Sequence, residues 1–247
     1  MKSHTARTLA LATATTTALL SAPSAYALSL RSDLFNTFNS MVRQERLQME
    51  DSAASLLELD PETLRWTQGA DSVDVFFINE GAVFRNQLLY SANGGAAQMI
   101  FDDIASPDSI IPETDGPMQL GEGVSLGTFT GDTSLNFMIE ADGAQKENGH
   151  IYGTDVALNP DGLQHLVAYE YFDNIEEENW VILGFEDLYG VHIDDGGWSD
   201  RDFNDVVIAV RGITGTGVSV PEPSSTAAVL GLAAFGIAGL RKSKKEV

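Results

Sequence analysis

The chain has 247 residues, with 36 Asp and Glu against 14 Lys and Arg, a formal net charge of −22 and no cysteine. That balance excludes nucleic acid and anionic membrane surfaces as natural partners and favours cations. With no disulfide available, a hydrophobic core or a bound metal must hold the fold together.

Lys2 and Arg7 precede an apolar Ala/Thr/Leu-rich run that ends in Ala25-Tyr26-Ala27. A basic start, an apolar middle and an A-x-A site make residues 1–27 a signal peptide cleaved after Ala27. The chain is therefore expected to be exported. Residues 28–66 read as a helical N-terminal extension. From Leu30 to about Asp60, Leu34, Phe35, Phe38, Met41, Val42 and Met49 fall near one face at spacings of three and four. Ser32 or Asp33 is placed to cap its start. A shorter apolar run, Leu56, Leu57 and Leu59, stops at Pro61.

After Trp66 the pattern changes to strands. They are expected at Val73 to Ile78, Phe84 to Tyr90, Ala97 to Phe101, Val124 to Phe129, Leu135 to Ile139, Leu163 to Phe172, Trp180 to Phe185 and Val206 to Val210. Gly81 and Asn93-Gly94-Gly95 mark turns, and Asp102 to Pro117 is a Pro/Ser/Asp-rich loop. Many strands without helical crossovers predict a mainly β fold: an antiparallel β-sandwich or jelly-roll-like domain over residues 67–215, preceded by one or two short helices. No internal repeat is present.

The densest chemistry lies between Phe185 and Asp205. Glu186 and Asp187 end one apolar run, and Asp200, Asp202, Asn204 and Asp205 open the next. Crowded carboxylates repel unless a cation joins them. Asp200-x-Asp202-x-Asn204 places oxygen donors at every second position, like the start of an EF-hand loop. The sixth position is Asp205 instead of Gly and the twelfth is Arg211 instead of Glu, so an EF-hand is excluded. Oxygen-only donors suit Ca2+ better than zinc or copper. His192 in the same loop has neither Cys nor a second His near it in sequence, which argues against zinc. Glu80 ends the strand at Val73 to Ile78 and needs a partner. Arg85 or Asn86 is one choice, and the cation shell is the other.

The tail runs Val220-Pro221-Glu222-Pro223, then an apolar segment over 224–240, then the basic end 241–247. Its apolar core, Ala227 to Leu240, is short beside the roughly 20 residues of a comfortable span, and the basic flank stays cytoplasmic. Residues 216–223 read as a linker. Pro221-Glu222-Pro223, a short apolar helix and a basic end together resemble the PEP-CTERM sorting signal of Gram-negative bacteria. The resemblance implies an exosortase as processing partner, a transmembrane sorting helix that anchors the protein transiently in the inner membrane, and delivery to the cell surface or extracellular matrix. Setting both terminal segments aside leaves 8 basic and 34 acidic residues, a body of about −26. About 190 residues remain, enough for one domain with a substantial core.

A second resemblance spans most of that body. Val73 to Asn86, Asn159-Pro-Asp-Gly-Leu-Gln-His165, Gly184-Phe-Glu-Asp-Leu188 and Ser199 to Val207 are similar to domain of unknown function 4114, found in exported bacterial proteins. It implies Glu80, Glu186, Asp187, Asp200, Asp202, Asn204 and Asp205 as signature positions, with Val83 departing from an expected glycine.

Three functions follow. The first is a non-catalytic, calcium-binding surface or matrix domain. The second is a carbohydrate-binding module, with Trp180 and Trp198 near the acidic loop and exopolysaccharide as candidate partner. The third is a glycan hydrolase using paired carboxylates. No Ser-His-Asp order, nucleophile elbow, HExxH or phosphate-cradling loop is present to favour other chemistry.

Overall fold

The computed structural model describes residues 28–43, 46–47, 56–111 and 116–218. The signal peptide with Ala27, Met49, the Pro221-Glu222-Pro223 motif, the segment 224–240 and the basic end lie outside the described residues. The elements in chain order are β1 (Leu28–Ser29), α1 (Ser32–Asn39), β2 (Val42–Arg43), β3 (Arg46–Leu47), β4 (Leu57–Trp66), β5 (Val73–Asn79), β6 (Gln87–Ala92) and β7 (Gln98–Phe101). They continue with β8 (Glu122–Gly127), β9 (Thr133–Glu140), β10 (Ile151–Gly153), β11 (Leu166–Asp173), β12 (Glu178–Phe185), β13 (Val206–Arg211) and β14 (Thr214–Gly217). Apart from the β2–β3 hairpin, the strands form one antiparallel sheet. Its order is β1-β8-β5-β13-β12-β11-β4-β9-β6-β7, with β10 beside β9 and β14 beside β4. The fold is mainly antiparallel β.

The sheet curls at β4. Its first residues pair with β11 (Leu59 with Ala168) and its last with β9 (Trp66 with Thr133), so one strand serves both halves. Pro61 sits at the bend, where its missing N–H would break a regular ladder. Side chains carry the bonding there. The Asp60 carboxylate accepts from Glu62 N–H, Thr63 Oγ1 donates to the Asp60 carbonyl, and Thr216 N–H donates to Thr63 Oγ1. The expected helix through Asp60 is thus corrected. Among the described residues only Ser32–Asn39 is α-helical, and residues 57–66 are strand.

The central strands are buried on both faces. On the inner face, Val75, Phe77, Leu183, Phe185, Ile208 and Val210 meet Leu88, Tyr90, Leu135, Phe137 and Ile139 from the other half of the curl. On the outer face, Phe76, Ile78, Trp180, Ile182, Val207 and Ala209 are covered by Leu34 and Phe38 of α1, with Met41 and Val42. Each such side chain contributes roughly 1.5–3 kcal/mol relative to exposure. Trp180 is therefore core, tilted against Phe38 and Phe76, and not part of a surface platform. Neither Ser32 nor Asp33 caps the helix. The N-cap is Arg31, which makes no side-chain cap bond and instead pairs with Asp33, Asp173 and Glu176, strapping α1 to the β11–β12 hairpin.

Candidate functional site

Antiparallel pairing brings three strand ends to one rim of the sheet: the end of β5, the end of β12 and the start of β13. Phe185 lies opposite Val206, and Val207 opposite Asn79. Residues 186–205 form the connection between β12 and β13, and Glu80 follows β5. Gly81 N–H donates to the Asn204 carbonyl at 2.9 Å, and Asp205 N–H to the Phe185 carbonyl at 3.1 Å, closing the base of the connection.

Higher up, the loop is braced by its own backbone. Ile193 N–H donates to the Ser199 carbonyl at 2.8 Å, and Gly197 N–H to the His192 carbonyl at 3.1 Å. Gly197 has no room for a side chain, since a Cβ there would lie 1.7 Å from the Val191 carbonyl oxygen. Beyond it the chain coils tightly, with left-handed backbone at Arg201 (φ 55°) and Phe203 (φ 57°) alternating with the acidic positions. Such residues are costly, and side chains that bond locally stabilise them. Asp202 supplies one of these bonds, its carboxylate accepting from Asn204 N–H at 3.0 Å.

Glu186, Asp200 and Asp202 each offer one carboxylate oxygen, and these oxygens all lie within 4.8 Å of one another. Asp200 faces solvent, while Asp202 and Glu186 are buried. Glu186 is 0% exposed, and its Oε2 is buried with no hydrogen-bond partner. Burial pushes the Glu186 carboxyl up, the Ser199 hydroxyl opposes this, and the Asp200 charge adds to it.

The remaining predicted residues are placed differently. Asp187 and Asp205 form a second pair, in which Asp205 Oδ2 accepts from Asp187 N–H at 2.7 Å and Asn86 Nδ2 donates to Asp187 Oδ2 at 2.8 Å. Burial, opposed by Asn86 and reinforced by the Glu186 charge, pushes Asp187 up to about 7. Asp205 is raised well above the usual carboxylate range by burial and then by the Asp187 and Glu186 charges. Asn204 is buried as well. Its Nδ2 donates to the Arg43 carbonyl, and its Oδ1 packs where a Cβ of Gly81 would otherwise sit. Glu80 is buried, and its Oε1 accepts from Ser106 N–H at 2.8 Å. Of the two neighbours expected to partner it, Asn86 donates to Asp187 and Arg85 pairs with Asp103.

The structure makes His165 the brace beneath the site. Its Nδ1 lies 2.9 Å from the Glu186 carbonyl and its Nε2 2.9 Å from Asp161 Oδ2. Asp161 also accepts from Gly190 N–H and Leu163 N–H. Burial alone would raise the Asp161 carboxyl, but the bonds from Gly190, His165 and Leu163 outweigh it and hold it below the usual range. The signal available in sequence was the Asp161-x-x-x-His165 spacing.

Residues 129–213 match the family model Domain of unknown function (DUF4114). The matched span takes in β9 to β13, the Asp161–His165 brace and every carboxylate between Glu186 and Asp205. Val73 to Asn86, which carries Glu80, falls outside it. Residues 219–244 match the PEP-CTERM protein-sorting motif. That motif supports an exported protein of Gram-negative bacteria, processed by exosortase. No curated protein and no solved structure matches the chain.

Proposed function

We propose that the Glu186, Asp200 and Asp202 carboxylates hold a calcium ion, and that the ion staples the β12–β13 connection of a non-catalytic domain destined for the cell surface or extracellular matrix. One observation carries the reading. A fully buried carboxylate oxygen, Glu186 Oε2, has no hydrogen-bond partner and belongs to a three-carboxylate group. An ionised carboxylate left so is costly unless a cation compensates it. Three oxygen donors without sulfur or nitrogen select a hard cation, and the adaptable coordination of calcium tolerates their uneven exposure. The burial of Glu186 and Asp187 disfavours the hydrolase reading, since neither carboxyl is open to a sugar substrate. The segment 224–240 then holds the protein at the inner membrane until exosortase acts.

Calorimetric titration of chelator-stripped protein with calcium chloride tests this. Binding heat should be seen. At a free calcium concentration about 1,000 times Kd the stabilisation is about 4 kcal/mol. For a domain of this size that raises the melting midpoint by about 8–16 °C. Glu186→Gln should remove both heat and shift. Absence of heat with an unchanged midpoint in the parent protein would refute the calcium reading.

Gly197→Ala probes the loop separately. The added Cβ meets backbone at Val191, which cannot yield as a flexible side chain does. The loop must open. Calcium affinity is expected to fall at least about tenfold, or 1.4 kcal/mol, while the metal-free midpoint moves little because no core side chain is disturbed. An unaltered affinity would show that loop closure does not shape the site.

A further inference from the structure

The three-carboxylate group is open on one side. Glu186 and Asp202 are buried, but Asp200 faces solvent. Calcium takes six to eight oxygen ligands, so three carboxylates leave several positions unfilled toward that exposed side. Two residues before Asp200 stands Trp198, 85% exposed, the most exposed large apolar side chain among the described residues. The other two tryptophans, Trp66 and Trp180, are core.

Trp198 is held out by construction. Ser199 beneath it is fully buried, its carbonyl accepts from Ile193 N–H, and Gly197 is wedged against the Val191 carbonyl. A large ring on so braced a segment costs little entropy to engage a ligand. Residues two apart span at most roughly 7 Å, within reach of a single sugar ring.

We propose, resting on the calcium reading above, that this rim binds a neutral saccharide. Two vicinal hydroxyls complete the coordination of the ion on the Asp200 side, and the apolar face of the sugar packs on Trp198. Charge selects the class. The body carries 34 acidic and 8 basic residues, which repels anionic polymers and anionic bilayers. Asp194 and Asp195 in the same loop are exposed and oppose insertion of that tip into lipid. Hydroxyls are neutral oxygen donors, of the kind calcium accepts from carbonyls and water.

The experiment follows the binding heat of the full chain titrated with mannan, dextran and cellohexaose, each in 1 mM calcium chloride and again in excess chelator, with tryptophan emission recorded alongside for the parent protein. At least one glycan should bind tenfold or more tightly with calcium and shift the emission to the blue. Trp198→Ala should lose that binding tenfold or more while keeping the calorimetric calcium heat and the melting midpoint. Calcium binding without affinity for any of the three glycans overturns the saccharide proposal and leaves the calcium reading standing. Absence of calcium heat overturns both. Glycan binding that survives the chelator or Trp198→Ala, or calcium-dependent retention on phosphatidylglycerol vesicles without glycan binding, also overturns it.

Discussion

The melting midpoint of the metal-free protein should fall as pH rises from 5 to 8. Glu186, Asp187 and Asp205 are all raised, first by burial. Asp187, ordinarily near 3.8, is pushed up to about 7. Between those two values the unfolded chain has released the Asp187 proton while the folded state still holds it. The folded state therefore binds more protons, and stability falls with rising pH across that window. For Asp187, both states are protonated below that window and both are ionised above it, so its share of the loss is complete by about pH 8. At 1.36 kcal/mol per pH unit, and with mutual coupling among the three groups, the loss is on the order of 2–4 kcal/mol. That corresponds to roughly 5–15 °C in the midpoint.

Asp161 and Asp173 are lowered and act in the opposite sense, but their window lies below the ordinary carboxylate value near 3.8 and leaves the range from 5 to 8 untouched. Calcium should reverse the trend, because it binds the ionised carboxylates and competes with protons. Thermal melts at pH 5, 6, 7 and 8, with chelator and with calcium, give the comparison. A chelated protein whose midpoint rises toward pH 8 would show that these carboxyls are not held protonated in the fold. Asp187→Asn should flatten the chelated profile.

The strands that form the middle of the sheet were readable because they are buried on both faces. Val75–Ile78 and Val206–Val210 are continuous apolar runs within these strands, and such runs need no knowledge of their partners. β4 was not readable. Its strand character comes from pairing with β11, β9 and β14, and its Pro61 and three- and four-residue apolar spacings look locally like the end of a helix. Met41 and Val42 extended the helical pattern although they join the outer core cluster from beyond the helix end.

At the site, carboxylates on both sides of one connection were visible as a cluster. Their division was not. Asn204 Nδ2 is held by the Arg43 carbonyl, 161 positions away in sequence, and Asp187 by Asn86, 101 positions away. Ser199 and Asn86 carry no local signature of the carboxylates they serve. Only the closure of the rim supplies it.

Replacing His165 should cost more than any change on the exposed face of the loop. The ring bridges the Glu186 carbonyl and the Asp161 carboxylate through its two nitrogens. It also stacks on Tyr152, with centroids 3.8 Å apart and planes 12° from parallel. His165→Leu leaves Asp161 buried and ionised, with only the Gly190 and Leu163 N–H groups to hold it, and leaves the Glu186 carbonyl without its imidazole donor. Removing one member of a buried pair costs about 3–5 kcal/mol, or on the order of 10 °C in the midpoint. Asp161→Asn/His165→Leu should lose less than the sum of the two single changes by about 1 kcal/mol or more, because the double variant strands no charge. The calcium affinity of His165→Leu should fall as well, since the backbone that aims Glu186 is no longer fixed. Chemical denaturation of the three variants measures the coupling. Strict additivity, or a single-variant loss below about 1 kcal/mol, would mean that the imidazole only fills space beneath the site.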